Sequence, residues 1–257
     1  ANYDRILPAI AVIACQRLGL ASKIGDLLFN SLDQLKHKVR TMYGLSTEYG
    51  PTDNYPLFGS GQGSGGSPTF WAAIANVLFN TMDNFGPGLV LQDPIGKQIS
   101  QRSEDGFVDD TSLGVDGQDQ NVIDRLTESA QRHEGVLYAT GGKLALMKCT
   151  WVLVNWAWKD GMATMSTFSE DNDDGTNCAK LRLVQSETDE EVEIPRLQPG
   201  EAIRTLGAWV AADGSQDKKL EILAAKVTVW VNNITRSSLS SLDKQIAYLA
   251  FLKPQIL

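Results

Sequence analysis

Apolar positions along the chain change period several times, and each change marks an element. Residues 8–18 and 22–36 repeat apolar positions at helical spacing and predict two helices, with Ser22 placed to cap the second. His37–Tyr43 alternates polar and apolar and predicts a strand, followed by a turn-rich loop and a short run at Tyr55–Phe58. Gly59–Ser67 is a Gly/Ser loop. Pro68 then suits the first turn of a helix, where its missing N–H costs nothing, and the pattern carries that helix to about Phe85. Residues 86–106 are turn-rich and predict a hairpin. Val122, Leu126, Ala130, His133 and Leu137 recur at three- and four-residue steps, so 119–139 reads as an amphipathic helix stopped by Gly141-Gly142. Leu144–Trp158 is apolar and aromatic and predicts a buried strand or a long hairpin arm. Strand-like runs follow at 180–185, 191–194 and 203–211. From Gln216 the pattern is helical, in two segments parted near Ser237-Ser238.

This order predicts an α+β domain built on an antiparallel sheet, then a small helical domain. Hydrophobic residues make up 42% of the chain and charged ones 21%, enough apolar surface for a core. The longest apolar runs, Ile6–Cys15 and Phe70–Phe79, fall short of the roughly 18 residues a membrane span needs. No secretory leader is recognisable. Cys15, Cys149 and Cys178 are odd in number and widely spaced, and His37 and His133 are the only histidines, so neither a disulfide framework nor a zinc cluster is expected. The expected setting is intracellular, nucleus or cytoplasm, with no membrane partner. Ala1 falls inside what reads as a structured segment, which predicts a fragment of a longer protein.

A net charge of −8 opposes nucleic-acid binding at first sight. Residues 169–193 alone contribute −7, whereas residues 217–253 carry a net +3, with Lys218, Lys219, Lys226, Arg236, Lys244 and Lys253 against Asp217, Glu221 and Asp243. The objection therefore concerns one local stretch, readable as a solvated acidic loop or hairpin.

Three groups of residues could carry chemistry. Asp109 and Asp110 are adjacent carboxylates whose repulsion a divalent cation would offset; a solvated turn is the alternative. Gly59–Pro68 contains Gly61-x-Gly63-x-x-Gly66, a formal dinucleotide fingerprint. The acid that should follow, Asp83, falls inside the predicted helix, and no βαβ repeat comes after it. Nor does a Gly-Lys-Ser/Thr follow, as a phosphate-cradling loop needs. In Gly141–Cys149, a lysine beyond a glycine turn is either a surface residue or a proton donor.

Taken in order, these segments resemble reverse transcriptases, most closely those of non-LTR retrotransposons. Gln62-Gly63-Ser64-Gly65-Gly66-Ser67-Pro68 is similar to the family's QGxxxSP motif and Phe107-Val108-Asp109-Asp110 to its F/Y-x-D-D motif. Gly142–Lys148 resembles the following lysine motif, and Leu206-Gly207-Ala208-Trp209 the Leu-Gly hairpin that grips the primer. Ala1-Asn2-Tyr3-Asp4-Arg5 resembles the end of the first palm motif, D-x-x-x-A-F/Y-D, and the basic helical tail resembles a thumb.

The resemblance implies a right-hand polymerase palm, an antiparallel sheet backed by helices, over residues 1–215. Its primer-grip hairpin would lie near 203–213, with the start of a helical thumb over 216–257 and the fingers missing. It implies RNA-directed DNA polymerisation, with an RNA template, a DNA primer and deoxynucleoside triphosphates as partners, and two Mg²⁺ (or Mn²⁺) ions as cofactors. Asp109 and Asp110 would be metal ligands and, with Lys148 as general acid, catalytic residues. Tyr3, Gln62, Gly63, Ser67 and Pro68 would bind substrate, Tyr3 as the gate beneath the sugar. Leu206, Gly207 and Trp209 would grip the primer. Tyr3, Gln62, Asp109 and Lys148 should converge on one cleft.

Departures from the family pattern qualify this. The metal-binding Asp that opens the first motif would fall three residues before Ala1, so the chain by itself is expected to be inactive. Asn2, Gly61 and Ala145 stand where Ala, Pro and Asn are frequent. One alternative is a viral RNA-dependent RNA polymerase, since Ser64-Gly65-Gly66-Ser67-Pro68-Thr69 also fits an S-G-x-x-x-T motif, although Asn76 comes late for it and Tyr3 occupies the gate. Another is a non-catalytic remnant or a domesticated nucleic-acid-binding module.

Overall fold

The computed structural model describes residues 5–50, 59, 65–107, 110–117, 120–166, 180–205 and 208–253. The chain is α+β and divides into two compact units, Ala1–Trp151 with Cys178–Pro195, and Val152–Asn177 with Arg196–Leu257.

In the first unit, α1 (Pro8–Arg17) starts on Pro8 as a helix tolerates, and α2 (Ser22–Asp33) follows it. Ser22 does not cap α2. Ala21 holds the extended cap conformation, so Ser22 is already the first helical residue. The strand expected at His37–Tyr43 is one arm of a short hairpin. Its β1 (Arg40–Thr41) pairs with β2 (Gly44–Leu45), and His37 and Tyr49 exchange N–H···O bonds of 2.8 and 3.0 Å. Gly44, at φ +129°, allows the early reversal that shortens the strand. Tyr55–Phe58 lies outside the described residues.

The helix expected from Pro68 is α3 (Ser67–Phe85), with Phe70, Trp71, Ala73, Ile74, Leu78 and Met82 buried. Ile6, Ala11, Val12 and Ala14 pack against Phe70, Trp71 and Ile74, and Leu137 closes this core. The expected hairpin is β3 (Leu89–Gln92) with β4 (Gln98–Arg102), antiparallel with a bulge after Leu91. Next come β5 (Glu104–Phe107), β6 (Asp110–Leu113) and the expected long helix, α4 (Gln120–Ala139). Asp116 ties these together: its Oδ2 accepts from Val90 N–H at 3.1 Å and its Oδ1 from Arg125 Nη1 at 3.2 Å.

Gly141-Gly142 ends α4 for a steric reason. Gly141 sits at φ +89°, and a Cβ there would meet the Arg5 carbonyl and Leu7. That closeness lets Leu7 N–H donate to the Thr140 carbonyl at 3.1 Å, pinning the entering chain to the end of α4.

The buried strand or long hairpin arm expected over Leu144–Trp158 breaks up. Lys148 and Cys149 N–H groups bond back to Ala145 and Leu146 (2.8 and 3.1 Å), making a 3₁₀ turn at Leu146–Lys148. Only β7 (Trp151–Val152) is extended before β8 (Trp156–Lys159), which pairs with β9 (Met162–Met165) across an Asp160-Gly161 turn with positive φ at both residues. Trp156 and Trp158 are exposed, at 59% and 79%, so apolar content there did not mean burial. In the first unit, β10 (Leu181–Gln185) and β11 (Glu190–Ile194) form a five-residue antiparallel ladder with Leu181, Leu183 and Ile194 buried.

The second unit adds β12 (Arg196–Leu197), β13 (Ile203–Thr205) paired with β14 (Ala208–Val210), α5 (Asp217–Arg236) and α6 (Ser241–Ala247). The two helical segments thus lie where the pattern put them. Within the second unit α5 packs on β14, so this hairpin and the two helices belong to one compact unit. Each ladder described is two-stranded and antiparallel. Among the described residues, no helix is long and apolar enough to cross a membrane.

Gly141→Ala should cost about 1–3 kcal/mol, from the left-handed backbone and the contact with the Arg5 carbonyl, measured by urea unfolding against wild type. A variant as stable as wild type would show that the entering chain is not held there.

Candidate active site

The β5–β6 ladder pairs Glu104 with Leu113, Asp105 with Ser112, Gly106 with Thr111 and Phe107 with Asp110. Side chains alternate across a ladder, so Glu104, Gly106, Thr111 and Leu113 share one face. That face is turned inward: Glu104 is buried, Thr111 and Leu113 are half-buried, and α3 and α4 lie against it. Asp105, Phe107, Asp110 and Ser112 occupy the exposed face. Val108 and Asp109 join the paired ends and lie outside the described residues.

Gly106 fixes how closely the hairpin meets α3. A Cβ at this position would run into the Phe79 ring. The absent side chain therefore lets β5 lie directly on the helix that Ser67-Pro68 begins. An open groove of about 410 Å³ runs between Pro68, Trp71, Ala72, Ala75 and Phe79 of α3 and Gly106 of β5. A more polar hollow of about 340 Å³ adjoins it, with Asp83, Arg102, Glu104 and Asp105 in its wall.

Asp110 stands exposed at the start of β6, on the same face as Phe107. Ser67 is buried at the first position of α3 and Pro68 lines the groove. Lys148 is exposed at the end of its 3₁₀ turn and is not among the groove residues. Trp209 is half-buried on β14, opposite Arg204, in the hairpin expected near 203–213. Tyr3, Gln62, Gly63, Asp109, Leu206 and Gly207 lie outside the described residues, so of the four residues expected to converge only Lys148 is placed. Among the described residues no three His, Cys, Asp or Glu side chains form a metal cage. Asp110 offers the hard oxygen donor that Mg²⁺ takes, and Asp109 is its neighbour in sequence.

The inner face of α4 carries polar groups that the apolar pattern passed over. His133 Nδ1 meets Glu104 Oε2 at 2.8 Å, with both side chains buried. Gln131 bonds the backbone of Val184 in both directions, at 2.8 and 2.7 Å, covering the edge of β10. Buried Glu134 accepts from the Ser186 N–H at 3.1 Å and from its hydroxyl. The helical stripe located His133; nothing in the sequence pointed to Glu104 as its partner.

Glu187, just beyond β10, accepts from Lys143 and from Arg5, the latter at 3.2 Å. The Lys143 hydrogen bond, then the Arg5 bond, hold its carboxyl below the ordinary 4.5. Burial pushes the Cys15 and Cys149 thiols up, so both stay protonated at neutral pH.

No protein-family model matches the chain, and no curated protein matches it in sequence.

A carboxyl whose folded value is depressed contributes stability above its unfolded value and loses it as pH falls through the folded one. Wild type should therefore lose thermal stability on acidification below about 4.5 more steeply than Glu187→Gln, whose curve lacks this component. Superimposable melting curves from about pH 6 to 3 would refute the clasp.

Proposed function

We propose that the chain is the palm and the start of the thumb of a reverse transcriptase. The observation that carries this reading is the packing of α3 on β5 at Gly106 and Phe79. It brings the helix that follows the Gln-Gly-x-x-x-Ser-Pro segment and the hairpin that bears Phe107-Val108-Asp109-Asp110 to one groove. A template-directed polymerase needs such a groove, because the nascent base pair must lie beside the carboxylates that act on it.

In this reading Asp109 and Asp110, with the aspartate expected before Ala1, would hold two Mg²⁺ ions, which would supply charge stabilisation for nucleotidyl transfer. Gln62 and Gly63 bear on the template base and the incoming nucleotide, and Tyr3 packs under the sugar, disfavouring a 2′-hydroxyl. Ser67 and Pro68 begin α3 and bear on the same substrates. Lys148 donates a proton toward the pyrophosphate. Leu206, Gly207 and Trp209 hold the primer end, and the basic face of α5 follows the duplex phosphates. The palm and the RNA-templated, DNA-primed reaction belong to this proposal.

Primer extension by the full-length protein on an RNA template tests it. Deoxynucleotides should be used in preference to ribonucleotides, and Asp109→Asn should lower the rate at least about 100-fold with an unchanged melting temperature. Preference for ribonucleotides would favour an RNA-dependent RNA polymerase. Tight template binding without extension would favour a binding module. Extension undiminished in Asp109→Asn would remove the metal role.

A further inference from the structure

We propose that Glu104 and His133 are positioning residues that set the acidic hairpin on α4. The inference rests on reading Asp109 and Asp110 as metal ligands, and it assigns a task to two buried groups outside that site.

Glu104 opens β5, five residues before Asp109 in the sequence and in direct ladder contact with β6. Its side chain is 0% exposed and that of His133 4%, with 2.8 Å between Nδ1 and Oε2. A carboxylate is a costly filler for such a place, since an apolar pair of similar volume serves packing as well or better. What the polar pair adds is direction. On the inner face of the hairpin, Gly106 has no side chain, and Thr111 and Leu113 are only half-buried. Among the described residues of that face, Glu104 is the one that hydrogen-bonds to a helix. Just before it, Ser103 N–H reaches Asp83 of α3 at a longer 3.4 Å. The Glu104–His133 contact thus fixes β5 to α4, and Asp110, paired with Phe107, moves with the strands.

Three more buried oxygens lie on the same segments: Glu104 Oε1, Ser103 Oγ and Ser129 Oγ, none with a hydrogen-bond partner among the described residues. Ser129 lies one turn before His133 on α4. Buried groups of this kind cost stability, which argues that the cluster is kept for placement rather than for strength.

Mn²⁺ binding to the full-length protein, followed by electron paramagnetic resonance alongside the melting temperature, tests the proposal. Removing one partner alone strands a buried polar group, so the decisive variant exchanges both, Glu104→Leu with His133→Phe. It should melt at or above the wild-type temperature while its Mn²⁺ affinity falls about 10-fold. Glu104→Asp, one methylene shorter with the charge kept, should lower the affinity in the same direction and serves if the double exchange does not fold. His133→Asn, which keeps an N–H near the place of Nδ1, should stay close to wild type. Wild-type affinity in a folded double variant or in Glu104→Asp overturns the positioning role and leaves the metal reading intact. Mn²⁺ binding that is absent in wild type, or unchanged by Asp109→Asn with Asp110→Asn, overturns the metal reading and this inference with it.

Discussion

The 2.8 Å contact between His133 and Glu104 is buried on both sides, and much of the first unit is arranged around the need to satisfy it. A polar side chain that leaves water must find a partner, or it costs about 1–3 kcal/mol. α4 turns His133 and Glu134 inward beside Ile123, Ala130 and Leu137. Its neighbours are those that can answer: Glu104 from β5, and the backbone and hydroxyl of Ser186 beyond β10. Gln131 completes the attachment by bonding the free edge of β10, where an unpaired strand would otherwise invite another chain. Two hairpins distant in sequence are thereby fixed to one helix.

An opposite device works on α3. There the attachment depends on what is missing, a Cβ at Gly106, and the Phe79 ring takes the space. The polar contact on α4 gives direction, and the apolar contact on α3 gives closeness. Together they place the acidic hairpin against both helices and leave a groove open along Pro68, Trp71 and Ala75.

The sequence was most informative where one physical signal dominated. Pro68 and the stripe after it marked α3, Gly141-Gly142 marked the end of α4, and the alternation at 180–185 and 191–194 marked the β10–β11 ladder. It misled where composition stood in for burial. Trp156 and Trp158 read as core and are exposed, because hairpin pairing with β9 satisfies their backbone without covering their rings. At Ser22 a good capping residue was displaced by a helix that begins one residue earlier. The site was legible as motifs and not as geometry. The 3.6-residue period placed His133 on the inner face, but a partner 29 residues away leaves no local trace. Gly106 carries no signal in the sequence for the Phe79 ring that lies against it, 27 residues away.

The acidic balance, which seemed to argue against a nucleic-acid partner, changes meaning once its members are placed. On the β10–β11 hairpin, Glu193 pairs with Lys180 and Arg182, Glu191 with Arg182, and Glu187 with Lys143 and Arg5. These pairs are exposed and add little stability, but a cation at contact offsets part of the field that each carboxylate projects. Beyond roughly 8–10 Å at physiological salt, the remainder is screened. A local excess of this kind does not repel a phosphate backbone elsewhere on the molecule, and net charge is then a poor guide to partners. In the proposed reading, the charge that bears on function is local, at Asp110 and its neighbour in sequence, Asp109. An exposed carboxylate such as Asp110, at the start of β6, offers the hard oxygen donor that a divalent cation, and through it a polyphosphate, can use.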